Sequence, residues 1–320
     1  MAPAIADQRF SLLIDGVEIP AAFTTPPKPR LALLLIPGSL NSDVDGNFAP
    51  MFPGQPASTP HMYKDLAEQL GALGVAVLRF SKRGPGTGEV VRDKELARAS
   101  YQQFGQRVRV ADAFLGELRR RMPEAPITIA GHSEGSVVAT LLAQRKPDLV
   151  SKLILLSGPA KPLLKLMIWQ QFLNGAAGQA AYNEAMGWAE DYAAARPVPT
   201  DVAHNPLAGM LGFFSQPNNA VYLRSLEQVD PVEELAKTTQ PVLIVQGGRD
   251  TSVLPANADL LLAARPDARV ARLSELQHFY KPAAEGLSPM ESFMLDGPSD
   301  AAVAATVADW AGGVAASSPA

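Results

Sequence analysis

The strongest constraint on this chain lies around residue 133. Ile127-Thr128-Ile129-Ala130 is a short apolar, β-prone run that feeds directly into Gly131-His132-Ser133-Glu134-Gly135, and residues 136–144 then read as a helix. A strand that becomes a helix within so few residues needs a sharp turn with one side chain lifted out at the tip. Both glycines suit that turn, because helix and strand pass too close for Cβ atoms and the backbone is strained. The residue at the tip is Ser133, beside the positive end of the helix that follows. A glycine-rich surface turn would account for the pentapeptide but not for the strand before it. The pattern therefore predicts a serine presented at the carboxyl end of a buried strand, as a nucleophile would be.

The rest of the chain supplies a sheet for that strand. Short apolar runs at 31–36, 75–80, 127–130, 153–157, 242–246 and 269–273 alternate with helical patterns at 61–73, 106–122, 136–146, 255–264 and about 301–310. Continuous rather than alternating apolar strands separated by helices imply a parallel sheet covered on both faces. Ahead of them, 10–14 and 17–23 are joined by Asp15-Gly16, a good hairpin turn, which adds antiparallel strands at one edge. The stretch between Ser157 and Val242 is far longer than one crossover helix. Its Ala-, Leu- and Met-rich sequence reads as a helical cap inserted after the sixth strand. The expected organisation is an α/β core at 1–158 and 228–315, a helical cap at 159–227, and a flexible tail at 313–320.

With 320 residues and 47% hydrophobic content the chain is long and apolar enough to bury a sizeable core. A net charge of −4 makes no electrostatic case for nucleic acid or anionic membrane. The absence of cysteine excludes disulfides, thiolate metal sites and a cysteine nucleophile. Residues 1–9 lack a basic segment followed by an apolar core, and no apolar stretch approaches the ~20 residues that cross a bilayer. The expectation is a cytoplasmic protein without a signal peptide or membrane span.

A serine hydroxyl needs a base to take its proton, and histidine titrates in the right range. The four histidines are His61, His132, His204 and His278. His132 lies within the turn, where its side chain points away from the serine; His61 opens a helix; His204 falls in the cap. His278 stands just past the last strand, where loops at the carboxyl ends of parallel strands converge, and is the base by position. A third residue must hold the imidazole in the right tautomer. Asp250 ends the buried strand 242–246 through Gly247-Gly248-Arg249, next to the strand that delivers His278. Asp230, before Pro231, precedes its strand and reads instead as the cap of a helix at 231–237. Developing negative charge needs preset donors: the amide of Glu134 is one, and the Ser39 amide, in Ile36-Pro37-Gly38-Ser39-Leu40, is the other.

These residues resemble the α/β-hydrolase superfamily, in its bacterial carboxylesterase-like, dienelactone-hydrolase-related branch. The resemblance is carried by Pro37-Gly38-Ser39, Asp43-Val44-Asp45-Gly46-Asn47, Leu78-Arg79-Phe80-Ser81-Lys82-Arg83-Gly84, the Ser133 pentapeptide, Asp230-Pro231, Gly248-Arg249-Asp250 and His278-Phe279. It spans about residues 10–312 and is weakest in the cap. Two positions depart from the branch: Ser81 replaces an aspartate, and Leu40-Asn41-Ser42 replaces a stretch richer in glycine and proline. The resemblance implies catalytic roles for Ser133, Asp250 and His278, an acyl-enzyme route for carboxylic esters, and no metal or organic cofactor. Thioesterase, lactonase, amidase or short-peptide hydrolase activity would use the same residues, and a non-catalytic ligand-binding protein would be expected to have lost one of them.

Other features are structural on this reading. Gly84-Pro85-Gly86-Thr87-Gly88 lacks the Lys-Ser/Thr ending of a phosphate loop and reads as a turn. Asp43 and Asp45 lack further ligands at calcium spacing and read as turn caps. Arg119-Arg120-Arg121 ends a helix, where cations suit the dipole. Leu163, Leu164, Met167, Trp169, Phe172, Trp188, Phe213, Phe214 and Tyr222 give the cap an apolar content with little charge, which points to a small apolar ester as substrate.

Overall fold

The computed structural model describes residues 5–50, 54, 56–100, 103–199 and 201–313. The first four residues, part of the segment read as lacking a signal peptide, and 314–320 of the expected tail lie outside the described residues. The chain opens with the hairpin of β1 (Ala6–Ile14) and β2 (Val17–Thr25), paired antiparallel across Asp15 and Gly16, both at positive φ. Then follow β3 (Leu31–Ile36), α1 (Met62–Ala72), β4 (Val75–Phe80), the two-residue β5 (Val90–Val91), α2 (Lys94–Ser100), α3 (Gly105–Arg121), β6 (Ile127–His132), α4 (Glu134–Arg145) and β7 (Lys152–Leu156). An insertion holds α5 (Leu163–Leu173), α6 (Gln179–Ala193), α7 (Leu211–Phe214) and α8 (Pro217–Glu227). The chain then returns through α9 (Pro231–Ala236), β8 (Val242–Gly247), α10 (Ala256–Ala264), β9 (Arg269–Leu273), α11 (Pro289–Phe293) and α12 (Ala301–Gly312).

Among the described residues the strands form one sheet in the order β1-β2-β4-β3-β6-β7-β8-β9, with β5 beside β2. From β4 to β9 along that order every pairing is parallel, while β2 meets β4 antiparallel. The insertion follows β7 and not the sixth strand, because the short pairing of Val17 and Glu18 with Val91 and Val90 adds a strand the sequence pattern does not mark. Every residue of β3, β4, β6 and β8 is buried. The pleat divides them between two cores. Ala32, Leu34 and Ile36 join the cluster under α3, α4 and α10, and Leu31, Leu33 and Leu35 join the one under α1 and α12. Being apolar on both sides, these strands must be covered on both sides, which the crossover helices do.

The insertion has a core of its own, in which Leu164, Ile168, Tyr192, Leu211 and Phe214 are buried together. Of the aromatic residues that give the insertion its apolar content, Phe214 is fully buried in its core while Phe213 is 48% exposed. Asp43 does cap its turn, accepting from the N–H groups of Asp45 and Asn47, but Asp45 pairs with the buried guanidinium of Arg79 (3.1 Å) and with Arg9 (2.8 Å). Arg79 is 1% exposed and cannot stay charged without carboxylates beside it; Asp7 (2.9 Å) and Asp45 supply them.

Candidate active site

Ser133 sits between β6 and α4 at φ 52°, ψ −128°, a conformation that costs a non-glycine residue about 1–3 kcal/mol. Its surroundings hold it there. Its N–H donates to the Leu156 carbonyl of β7 (2.8 Å), and its carbonyl accepts from the Ser136 N–H (2.9 Å) as α4 begins. Neither neighbouring glycine adopts a positive φ; both are needed for space. A Cβ on Gly131 would lie 2.1 Å from the Gly135 oxygen, and one on Gly135 would lie 2.5 Å from the carbonyl oxygens of Ile36 and Pro37. The strain expected of the turn therefore falls on the serine, and the close approach on the glycines.

Asp250 and His278 reach each other through backbone packing at the ends of β8 and β9. A Cβ on Gly247 would strike the Leu276 carbonyl and one on Gly248 the Ser274 carbonyl, so the two loops can close only over glycine. The His278 Nδ1 and Asp250 Oδ2 stand 2.8 Å apart, both residues buried. Asp250 Oδ1 accepts from the N–H groups of Ser252 (2.9 Å) and Val253 (2.8 Å). A carboxylate only accepts, so Nδ1 carries the imidazole proton and Nε2 keeps its lone pair. Asp230 is elsewhere, capping α9 by accepting from Val232 N–H (2.9 Å) and Glu233 N–H (3.2 Å).

The remaining histidines separate clearly. His61 is the exposed N-cap residue of α1, and His204 is an exposed partner of Glu184. His132 is buried against the site and lines the same cavity as His278, the two ring centroids 4.6 Å apart. Its Nε2 donates to the His278 carbonyl (3.0 Å), an acceptor only, so its Nδ1 accepts from the Tyr63 hydroxyl (3.2 Å). Burial, with the neighbouring His278, holds His132 well below the usual histidine range, as a ring that must both donate and accept requires. Tyr63 Oη in turn accepts from Gly38 N–H (2.8 Å), and burial pushes its own pKa up to about 12. That bond occupies the Gly38 amide. The Ser39 N–H donates to no protein acceptor among the described residues.

Glu134, read from the sequence only for its amide, has a side chain at the centre of a buried polar cluster. Its carboxylate accepts from Arg107, from the Tyr222 hydroxyl (3.0 Å), from Ser39 Oγ (3.2 Å) and, at 3.5 Å, from Lys82. Burial alone would raise this carboxyl, but Lys82 and Arg107 pull it down to about 2. Burial lowers Lys82 to about 8, against the opposing pull of Glu134. Arg107 also donates to the carbonyls of Pro37 and Gly38 (3.1 Å). Tyr63, Arg107 and Tyr222 come from α1, α3 and α8, and no local motif in the sequence marks them.

Ser133, Glu134, Ser39 and His278 all line one cavity of about 740 Å³. One wall is Leu163, Leu166 and Met167 of α5, and the other is Phe48, Phe279 and Phe293. Among the described lining residues the charged side chains are Glu134 and Lys161. No group of His, Asp and Glu among the described residues is arranged to hold a metal ion, and no helix among them is long and apolar enough to cross a membrane.

The sequence profile of the family described as serine aminopeptidase, S33, matches residues 57–280. Over 292 residues the chain is 24% identical to Esterase EstD of Thermotoga maritima, an alignment that takes in 88% of this chain. The chain spans 62% of the length of that curated relative. Among solved structures, the thioesterase domain from the curacin biosynthetic pathway superposes with a TM-score of 0.54 at 18% identity, over 95% of this chain and 98% of that one. Est1E from Butyrivibrio proteoclasticus superposes with a TM-score of 0.51 at 18% identity, over 85% of this chain and 90% of that one. At such identities the likeness shows the fold, which is that of the α/β-hydrolases.

Proposed function

The chain belongs to the serine aminopeptidase S33 family, and from that premise we propose that it is a serine hydrolase acting on carboxylic esters through an acyl-enzyme. Ser133 Oγ attacks the ester carbonyl as His278 Nε2 takes its proton. The oxyanion forms at the N–H groups of Glu134 and Ser39. Collapse expels the alcohol, which leaves with the proton from His278. A water molecule, deprotonated by the same nitrogen, then attacks the acyl-serine and releases the acid. Asp250 holds the tautomer throughout and stabilises the imidazolium. None of these steps calls on a metal or an organic cofactor.

The observation that carries the reading is a strained Ser133 lining the same cavity as His278, which is hydrogen-bonded from behind to the buried Asp250. Its lining favours an ester over the free amino terminus of a peptide. A substrate ammonium would need a carboxylate, and the one carboxylate among the described lining residues, Glu134, is already held by two cations and two hydroxyls. The apolar walls suit an apolar acyl group. On this reading the described residues of 159–227 are the cap that supplies one of those walls, on a core made by the described residues of 1–158 and 228–315.

Hydrolysis of p-nitrophenyl esters from acetate to palmitate, with wild type beside Ser133→Ala, tests the proposal. Turnover that disappears in the alanine variant is expected, and the chain-length optimum measures the reach of the cavity. Folded wild-type protein that leaves the whole series untouched would refute it.

A further inference from the structure

We infer that Arg107 is the positioning residue that presets the oxyanion hole. The inference rests on the serine-hydrolase reading above and adds to it the group that aims the Ser39 donor and ties its loop to the side chain of Glu134, whose own N–H is aimed by the Ser136 N–H on the Ser133 carbonyl.

The Ser39 N–H and the Gly38 carbonyl belong to one peptide unit. In a trans peptide these two groups point in opposite directions, so whatever holds the carbonyl oxygen aims the N–H. Arg107 Nη1 donates to that oxygen at 3.1 Å. Its Nη2 donates to the Pro37 carbonyl, in the preceding peptide, whose N–H is held by Tyr63. Both peptide planes flanking Gly38 are therefore pinned, leaving the Ser39 N–H directed away from the guanidinium.

The same guanidinium also grips the Glu134 carboxylate, and the Glu134 amide is the other donor. One rigid planar cation thus ties together the two loops that form the hole, one after β3 and one after β6. A flexible lysine ammonium could not present the same fork to three acceptors. Arg107 is 8% exposed, so its field is weakly screened, and a cation on the Gly38 carbonyl polarises the attached N–H toward stronger donation. Glu134 supplies the counter-charge that lets the arginine stay buried. Tyr222 of α8 donates to that carboxylate, which brings the helical insertion into contact with the same assembly.

The test uses full-length protein carrying Arg107→Met and, separately, Arg107→Lys. The methionine variant leaves Glu134 facing Lys82, a balanced pair, which favours retention of the fold; the lysine variant keeps the charge and gives a second readout should methionine fail to fold. Three quantities are measured on p-nitrophenyl butyrate: kcat, KM, and affinity for an aryl boronic acid, which becomes tetrahedral on the serine. Labelling of Ser133 by a fluorophosphonate gives the rate of nucleophilic attack independently of substrate choice. Arg107→Met should lower kcat about tenfold to a hundredfold, below the loss from deleting a donor outright. KM should stay within about threefold, boronate affinity should weaken in parallel with kcat, and Arg107→Lys should recover part of the loss. A folded Arg107→Met or Arg107→Lys protein that retains wild-type kcat and boronate affinity overturns the inference alone. Wild-type protein that neither turns over esters nor labels at Ser133 overturns the serine-hydrolase reading and the inference with it.

Discussion

Replacing Asp250 by asparagine should separate catalysis from stability, and the hydrogen bonds around that carboxylate say how. Asp250 Oδ1 faces two backbone N–H groups, from Ser252 and Val253, while Oδ2 faces His278 Nδ1. An asparagine amide in the same place has one oxygen and one NH2. The oxygen must stay toward the two N–H donors, since turning the NH2 there would set donors against donors. The NH2 then faces His278 and donates to Nδ1. The imidazole is driven into its other tautomer, with the proton on Nε2, where it cannot accept the proton of Ser133. The expected loss in kcat is about 10³–10⁴-fold, or about 4–5.5 kcal/mol. Thermal stability should change little, because both amides keep their acceptor. Asp250→Ala should lose activity and stability together, since it orphans two amides at about 1–3 kcal/mol each. Asp230→Ala, which removes only the cap of α9, should cost about 1 kcal/mol and leave kcat near wild type. Ester turnover and thermal melting of the three variants decide the matter. A fall of less than tenfold in kcat for Asp250→Asn, or a larger loss in Asp230→Ala, would show that Asp250 does not set the tautomer.

Gly131→Ala should displace the elbow, because its methyl would meet the Gly135 carbonyl at 2.1 Å with backbone on the other side of the contact. A stability loss of about 1–3 kcal/mol or more and failed fluorophosphonate labelling of Ser133 are expected, and unchanged melting with unchanged labelling would contradict the packing argument. Burial at the junction of α8 and α5 pushes the Glu227 carboxyl up to about 7 from its ordinary 4.5. Between those values the folded protein binds more protons than the unfolded chain, so this group lowers stability as pH rises through the window, by up to about 3 kcal/mol above pH 7. Denaturant titrations of wild type and Glu227→Gln at pH 5, 6, 7 and 8 should therefore show the glutamine variant gaining relative stability with pH. A pH-independent difference between the two proteins would refute it.

Sheet, elbow and helix caps were legible in the residues because the rules behind them act over short distances. Full burial of β3, β4, β6 and β8 is written in mostly apolar runs, broken by Arg79, Thr128, His132 and Gln246, the Ser133 turn in two glycines and the strand before them, and the α9 cap in Asp230-Pro231. Strand count was less so: β5 is two residues long, and its pairing with β2 depends on where the chain travels after β4. Asp45 was misread for the same kind of reason, since the partner that occupies it, Arg79, is thirty-four positions away and buried. By itself, then, the sequence determined the local geometry, the order in which the strands must be covered, and three residues with the right chemistry at strand ends. Only the tertiary structure decided that His132 lies against the site as a neutral link between Tyr63 and the His278 backbone, and that Arg107, Lys82 and Tyr222 converge on Glu134. A buried charge must find its partners wherever the fold brings them within reach, and no spacing along the chain encodes which helices will meet behind a given loop.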